Sequence, residues 1–438
     1  MAVCTGGEGV SKVPRVQPGS IAVVSHTVPG GCNGQAVMLQ RLGETAATAG
    51  HPPGLLFIDT DRKARRRTEL PGGLPVQAVR TPWALRKLSR FHGTHRWLFP
   101  RLVQHRARRI AAIVRRQQSA AIVGCTGGDL VDLPAAIEAG RLVGVPVFLY
   151  YFDDYAIQRQ VFKRIWSPET MSYLGDIVEP EVLRQATGVI VPNETLAEDV
   201  RQRTDTPTIV VRNPVDIGRY SRLRHQFPNS QADRNRPLRI VYTGSVYAAQ
   251  ADSIQRCCQA ITAAAARGVQ AALHIYGPPP DREIQGSLKE SPIAWHPPTT
   301  QHESAVVQVQ ADMLFLPLSF NCSYPELIRS SAPGKFGEYL ASGTPVIIHA
   351  PADSFPVSFA KRHGCAAICS TLEVESLTET ICALADDAAV CDRLSNAAIT
   401  AAADFCQQRN SRRFVEFVMS VVREKRDAAL RLAGVQLE

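Results

Sequence analysis

Short runs of apolar residues alternate along this chain with segments whose apolar residues recur at helical spacing. In the first half the apolar runs lie at residues 21–25, 54–59, 121–125, 146–151, 188–191 and 208–211. Amphipathic segments such as 34–49 and 133–143 lie between these runs. Strand-length runs that alternate with helices are typical of parallel sheets covered by helices. The pattern therefore predicts an α/β fold.

The pattern changes between residues 219 and 236, which are polar, contain proline and show no apolar period. We interpret residues 216–237 as a connection between two domains, 20–215 and 238–410. The second domain begins with an apolar run at 238–242, and its last helical segments, 372–384 and 389–406, follow with little strand between them. Residues 411–438 begin with the capped amphipathic pattern of a terminal helix.

Composition narrows the class of protein. A chain of 438 residues is too long for one core, and 45% hydrophobic with 20% charged residues is typical of a globular protein. No apolar run reaches the roughly 18–20 residues that span a bilayer. Residues 1–19 lack the apolar core of a secretory signal, so we interpret them as a flexible tail. The eleven cysteines are scattered without the spacing of zinc sites, and we expect a cytoplasmic protein.

Residues 331–348 carry the strongest chemical signal. Ser331 is predicted to cap a short helix, Pro333 lies where a missing N–H costs nothing, and Gly343 ends the helix before a buried strand. Lys335 and Glu338 lie on neighbouring turns near the positive end of that helix. An anion that carries hydroxyl groups, such as a nucleotide diphosphate, would suit this arrangement. An ordinary helix–strand unit of a parallel sheet is the alternative interpretation.

This segment resembles the nucleotide-sugar site of the family-4 retaining glycosyltransferases, through Pro-x-Lys-Phe-x-Glu-Tyr-Leu-Ala-x-Gly-x-Pro-Val-Ile. Further segments resemble that family in the same order, namely 21–31, 211–216, 240–246, 273–277 and 311–317, so the resemblance covers roughly residues 20 to 435. It implies the GT-B fold, in which two Rossmann-like domains face each other across a cleft. The first domain would bind the acceptor, the second the nucleotide sugar, and the terminal helix would cross back to the first domain.

The resemblance also implies roles for individual residues. Glu338 would accept hydrogen bonds from the ribose hydroxyls, and Lys335 would neutralise the departing diphosphate. Backbone amides at Gly244 and Ser245 would approach the diphosphate. The remaining donor-binding candidates are Ser331, Pro333, Gly334 and, as an aid to Lys335, Arg212.

The chain departs from the family pattern at several positions. Many relatives carry an arginine after the glycine and a lysine a few residues later, where this chain has Ser245 and Gln250. Many also carry a glutamate eight residues before Glu338, where this chain has Ser330. Glu326 could substitute for it by a loop shift, although a surface position is the simpler interpretation. The sequence therefore does not identify the sugar.

The first domain lacks the histidine that many relatives carry after the third strand. The candidates for acceptor binding are the glycine loop and the polar residues that follow two strands, namely Gly30, Gly31, Thr126, Asp129, Asp153 and Asp154. Helix capping is the alternative role for Asp153 and Asp154.

The resemblance implies transfer of a sugar from a UDP- or GDP-linked donor to a glycan or lipid-linked acceptor, as in polysaccharide biosynthesis. Transfer with retention is thought to need no protein nucleophile, and neither a metal nor another cofactor is expected. Asp59-Thr-Asp61 has the spacing of metal-dependent transferases, but it ends a first-domain strand away from the inferred donor site. A nucleotide-sugar epimerase of the same fold and a non-catalytic nucleotide-sugar-binding module are the alternatives.

Positive charge is concentrated in residues 62–116. This segment holds sixteen Arg and Lys against one acid, Glu69, whereas the whole chain has a net charge of +9. Aromatic and leucine side chains are interleaved with these cations, which favours attachment to an anionic membrane surface. An anionic acceptor, a solvated surface without function and nucleic acid are the alternatives. Because of the resemblance we favour the membrane and expect no nucleic acid.

Overall fold

The computed structural model describes residues 18–31, 33–48, 54–61, 69–82, 87, 94–127, 129–153, 167–227, 236–280, 282–288 and 292–432. Their strands form two separate sheets, one of eight strands and one of six. Helices lie between most successive strands in both halves. The predicted α/β architecture is therefore confirmed.

The first sheet has the strand order β3-β4-β2-β1-β5-β6-β7-β8. Its pairs are parallel except for the short antiparallel pair β3–β4. The strands are β1 Ile21–Ser25, β2 Leu55–Asp59, β3 Glu69–Leu70, β4 Leu74–Ala78, β5 Ala121–Cys125, β6 Val147–Tyr150, β7 Gly188–Val191 and β8 Thr208–Val210. Most of these strands are buried on both faces, which explains why their sequences read as continuous apolar runs.

The second sheet is wholly parallel, with the order β11-β10-β9-β12-β13-β14. Its strands are β9 Leu238–Thr243, β10 Ala271–Tyr276, β11 Ile293–His296, β12 Met313–Pro317, β13 Val346–His349 and β14 Ala367–Cys369. In both sheets the strand order reverses beside the first strand, so a crevice opens at the carboxyl ends of the strands there.

The described helices of the first domain are Gly34–Thr48, His95–Gln117, Asp132–Val143, Pro168–Tyr173, Glu179–Gln185 and Glu194–Arg201. Those that follow are Ile217–Gln226, Ala251–Ala266, Arg282–Ser287, Gln301–Val309, Pro325–Arg329, Gly334–Ser342, Phe355–His363, Val374–Asp386, Ala388–Ala401 and Gln407–Leu432. Among the described helices, none combines the length and the apolar character needed to cross a membrane.

The segment interpreted as the connection between the domains contains a helix, Ile217–Gln226, which its pattern did not predict. The Asp216 side chain caps the helix by accepting from the backbone N–H of Arg219. Tyr220 and Leu223 are buried in the second-domain core. These two residues, three positions apart, are the buried residues of the helix, and its other face is polar. Two apolar positions are too few to give a visible helical period in the sequence. Residues 228–235 lie outside the described part of the chain.

The terminal helix Gln407–Leu432 crosses back to the first domain, as expected. Phe414 and Val418 are buried in the core around β1, β5 and β6. The ring of Phe417 lies edge-on to Phe148, with 5.4 Å between centroids. These apolar contacts hold the C-terminal helix against the core of the first domain.

Candidate functional site

The helix Gly334–Ser342 begins without a side-chain cap. Its N-cap residue is Pro333, with φ −57° and ψ 124°, and no side chain accepts from the first turn there. The predicted capping role of Ser331 was therefore wrong, because Ser331 lies two residues too early to reach that turn. The first N–H groups of a helix have no partner within it and carry partial positive charge. An uncapped start next to a lysine suits an anion.

Lys335 lies in the first turn of this helix and is held by an aromatic residue of the second sheet. Its Nζ donates to Tyr242 Oη at 2.7 Å, and the Tyr242 hydroxyl donates to the backbone oxygen of Ser245 at 2.8 Å. Burial lowers the pKa of Lys335 to about 8, and the Glu338 carboxylate opposes this shift only partly. Burial also raises the pKa of Tyr242 well above its ordinary value, so this hydroxyl stays neutral. The ammonium is thus placed where it gains from a bound anion.

Gly244, at the end of β9, leaves the space next to that ammonium. Its φ is +129°, a backbone conformation that residues other than glycine rarely adopt. A Cβ at this position would lie 2.8 Å from Lys335 Nζ, and one at Gly277 would lie 2.2 Å from the backbone oxygen of Gly244. Both glycines therefore allow two loops and the lysine to meet at one point. Ser245, the next residue, is exposed beside them.

Glu338, one turn after Lys335, is paired with the first domain. Its Oε1 accepts from Nη2 of Arg41 at 2.6 Å, while Nη1 of Arg41 donates to the backbone oxygen of Pro214 at 2.8 Å. Nε2 of Gln308 lies 3.5 Å from the other oxygen, Oε2, and only 3.0 Å from Thr243 Oγ1. The carboxylate is thus oriented mainly by one guanidinium.

The loop before this helix is also held by side chains of the first domain. Asn193 Nδ2 donates to the backbone oxygen of Ser330, and Asn213 Nδ2 donates to that of Ala332, both at 2.8 Å. Arg329 forms an ion pair with Asp199. The segment that leads into the helix Gly334–Ser342 is therefore anchored across the boundary between the domains.

Ser330 and Glu326 are the two candidates for the place of the glutamate that many relatives carry. In the described part of the chain, neither has a hydrogen bond that orients it toward Lys335. The Ser330 hydroxyl donates to the backbone oxygen of Glu326 at 2.8 Å, within its own helical turn. Glu326 is exposed in the first turn of the helix Pro325–Arg329.

Arg212 is engaged elsewhere. Its two terminal nitrogens donate to Glu194 at 2.6 and 3.0 Å, and its guanidinium lies 5.1–5.5 Å from the ring centroids of Phe355, Phe359 and Phe405. The bidentate pair uses two of the five N–H donors of the guanidinium, and the three rings pack close to it. Arg212 is thus engaged by Glu194 of the first domain and by three aromatic rings of the second.

In the first domain Thr126 joins two loops at the carboxyl edge of the sheet. Its hydroxyl donates to the backbone oxygen of Asp153 at 3.0 Å and accepts from the N–H of Phe152 at 2.9 Å. Asp153 is exposed there, and Asp154 lies outside the described residues. Gly30 has a φ of +90°, and a Cβ on it would meet Pro71 at 2.9 Å, while one on Gly31 would lie 3.1 Å from Ala36. Asp153 lies close to Tyr247 of the second domain's glycine loop: burial raises the pKa of Tyr247, and the Asp153 carboxylate adds to this increase.

Asp129 is a structural residue rather than an accessible acceptor group. Its Oδ2 accepts from Arg106 at 3.1 Å, and Arg106 also donates to Asp132 at 2.6 Å. All three side chains are at most 4% exposed. A buried guanidinium needs such carboxylates to offset its desolvation, so Asp129 serves the core of the first domain.

The Asp59-Thr-Asp61 segment is held by its own backbone, since Asp59 Oδ1 accepts from the N–H of Asp61 at 2.9 Å. Asp61 also lies 3.8 Å from His26. Over the described ranges, no group of three or more His, Cys, Asp or Glu residues is arranged to hold a metal ion.

Two residues of this site were missed by the sequence reasoning. Tyr242 could have been found, because strand alternation places it on the same side as Gly244, two residues later. Arg41 lies within an amphipathic helix and carries no motif, so no local signal marks it.

Known structures share this architecture. The sucrose-phosphate synthase of Thermosynechococcus elongatus aligns with a TM-score of 0.65 at 15% identity over 92% of this chain and 99% of the other. A UDP-forming α,α-trehalose-phosphate synthase from Burkholderia xenovorans, in complex with glucose-6-phosphate, gives 0.64 at 11% identity over 92% and 100%. HepE from Anabaena, in complex with UDP and glucose, gives 0.59 at 14% identity over 92% and 99%.

No family model matches the chain, and no curated protein matches it in sequence. At such low identity the structural likeness shows the fold alone. The fold of this chain is the two-domain GT-B fold of these glycosyltransferases.

Proposed function

We propose that this protein is a glycosyltransferase that moves a hexose from a nucleotide-sugar donor to a hydroxyl acceptor. The observation that carries the proposal is the arrangement of Lys335 beside Gly244, at the uncapped start of a helix and at the carboxyl end of β9. This is the position at which open α/β sheets bind ligands. Structures of the same fold are named for UDP-dependent sugar transfer or hold UDP and glucose, which supports a UDP-linked donor.

The chemistry follows from where charge develops. As the bond between the anomeric carbon and the diphosphate oxygen breaks, negative charge builds on the leaving group. Lys335 and the first N–H groups of its helix are already in position before that charge develops. Preorganised donors of this kind usually supply the largest part of the rate enhancement. The acceptor oxygen forms the new bond from the same face, its proton passes to the departing phosphate oxygen, and the configuration is retained. We propose that this transfer needs no metal.

Acceptor binding is assigned to the first-domain edge made by Gly30, Gly31, Thr126 and Asp153. The Asp153 carboxylate would accept from acceptor hydroxyl groups. The acceptor class is a glycan or a lipid-linked sugar, and the lipid-linked acceptor agrees with the positively charged surface of this domain.

That surface is the exposed face of the helix His95–Gln117. Trp97 is 69% exposed, and Arg96, Arg101, Arg108, Arg115 and Arg116 are exposed on the same helix. Three stretches of the basic segment, 62–68, 83–86 and 88–93, lie outside the described residues. We propose that this face attaches the enzyme to anionic lipid, since each cation near such a surface contributes about 1 kcal/mol.

Flotation with vesicles tests this attachment. Wild type should float with phosphatidylglycerol vesicles and not with phosphatidylcholine. Replacing Trp97 and Arg101 by Ala and Gln should weaken binding, whereas Arg393→Gln, at an exposed arginine of the second domain, should not. Equal binding of all three proteins would refute the attachment site.

The donor site is tested by binding and turnover together. Purified protein is titrated with UDP-, GDP-, ADP- and TDP-sugars with EDTA present, and nucleotide release is followed with sugar, sugar-phosphate and lipid-phosphate acceptors. We expect one nucleotide sugar to raise the melting temperature of wild type and of Lys361→Met, whose lysine is exposed. Lys335→Met should bind much more weakly, with most of the increase in melting temperature lost, and should show no turnover. Equal responses of both variants would refute the site, and donor binding without turnover on any acceptor would refute the activity.

A further inference from the structure

Arg41 is the only described residue of the first domain whose side chain donates a hydrogen bond to Glu338. Its side chain is 9% exposed, and that of Glu338 is 17% exposed. The guanidinium is fixed at both ends, by the Pro214 oxygen and by Glu338 Oε1. The backbone around Arg41 is fixed too, because Gln407 of the terminal helix donates to the Arg41 oxygen at 2.9 Å. The guanidinium is thus a rigid support rather than a mobile surface charge.

The two carboxylate oxygens of Glu338 are hydrogen-bonded unequally as a result. Oε1 receives the short bond from Arg41, whereas Oε2 has only the 3.5 Å approach of Gln308 Nε2. That amide is closer to Thr243 Oγ1, at 3.0 Å, and the Gln308 oxygen accepts from Tyr220 at 2.7 Å. Gln308 is therefore mainly engaged by other partners. Oε2 keeps the capacity to accept from a ligand hydroxyl.

We propose that Arg41 is a positioning residue for the nucleotide: by holding Oε1, it fixes Glu338 so that Oε2 accepts from a ribose hydroxyl of the donor. The inference rests on the proposed function, since it assumes a nucleotide at the Lys335 site. It adds that the acceptor domain takes part in holding the donor. A carboxylate held in one rotamer loses less entropy when it binds, which is why such support raises affinity.

A purely structural role is the alternative, because other side chains also bridge the domains. Arg329 and Asp199 form such a bridge away from Glu338. A latch between domains would affect every nucleotide equally. A positioning residue would affect only nucleotides that carry ribose hydroxyls, so the two roles can be separated.

The test compares the Kd of UDP with that of 2′,3′-dideoxyuridine diphosphate, and of the guanosine pair, for wild type, Arg41→Met, Glu338→Gln and the double variant. A hydrogen bond to a charged acceptor predicts that wild type favours the ribose form by about tenfold or more. Arg41→Met should lose most of this preference, and the double variant should bind like Glu338→Gln. The control Arg329→Met should keep the preference. Arg41→Lys, which retains one donor, should recover part of it.

Melting curves of the variants establish that each is folded. If Arg41→Met keeps the full preference, or weakens both nucleotides by the same factor, the positioning role is refuted. If wild type binds both forms equally, with binding still dependent on Lys335, the inference fails while the proposed function stands. If wild type binds none of the uridine, guanosine, adenosine and thymidine diphosphates, both fail.

Discussion

The lowered pKa of Lys335 predicts that donor affinity depends on pH. Burial brings this pKa to about 8, compared with an ordinary value of 10.5. Only the protonated form attracts a diphosphate. A bound dianion would in turn favour the charged amine and raise its pKa again. The affinity should therefore be constant below pH 7 and should decrease as the pH rises through the pKa of the free protein.

The size of the effect follows from the protonated fraction. With a pKa of about 8, Lys335 is roughly 90% charged at pH 7 and roughly 10% charged at pH 9. If the bound state stays protonated over this range, the Kd should increase about tenfold, which is about 1.4 kcal/mol. A lysine with its ordinary pKa would give almost no change over the same range.

Isothermal titration with a nucleotide sugar, whose diphosphate remains a dianion from pH 6 to 9.5, measures this dependence. Lys335→Met should bind weakly with a Kd that does not change with pH, whereas Lys361→Met should follow wild type. A flat wild-type profile would refute the reasoning, because it would mean that no buried lysine titrates at the site. A profile that persists in Lys335→Met would assign the titration to another group.

Three further predictions test the same assignments. The pKa of Lys335 is lower in the native state than in the unfolded chain, so the charged lysine destabilises the native state at pH 7. Lys335→Met should therefore be more stable than wild type in urea at pH 7, by up to roughly 3 kcal/mol, and this gain should vanish near pH 10.5. A variant less stable than wild type at pH 7 would contradict the lowered pKa. Gly244→Ala should cost about 1–3 kcal/mol of stability and abolish donor binding, since its φ is +129° and its Cβ would meet Lys335; normal binding would refute the close approach. Asp129→Asn should lower the free energy of unfolding by about 3–5 kcal/mol, whereas Asp153→Asn should raise the acceptor KM with little loss of stability; the reverse outcome would exchange their roles.

Much of the fold could be predicted because its strands are buried. β1, β5 and β7 begin and end where the apolar runs begin and end, since a central parallel strand excludes polar residues from both faces. The helix Ile217–Gln226 was missed because Tyr220 and Leu223 alone anchor it. A short contact of that kind becomes visible only when the second-domain core is in place.

The candidate site divides in the same way. Lys335, Glu338 and Gly244 could be proposed from the sequence because helix ends and glycines impose local constraints that leave a pattern. Ser331 was misjudged because the start of a helix depends on backbone geometry, and here the N-cap is Pro333.

By itself, then, the sequence determined the alternation of strands and helices, the presence of two sheets and the short segment that carries the lysine and the glutamate. The tertiary structure alone decided which charges meet. Arg41 donates to Glu338 although the two are 297 positions apart in the sequence. Arg106 donates to Asp129 in the core of the first domain. The physical reason is that hydrophobic burial is encoded residue by residue, whereas the partner of a buried charge is set by which elements pack together.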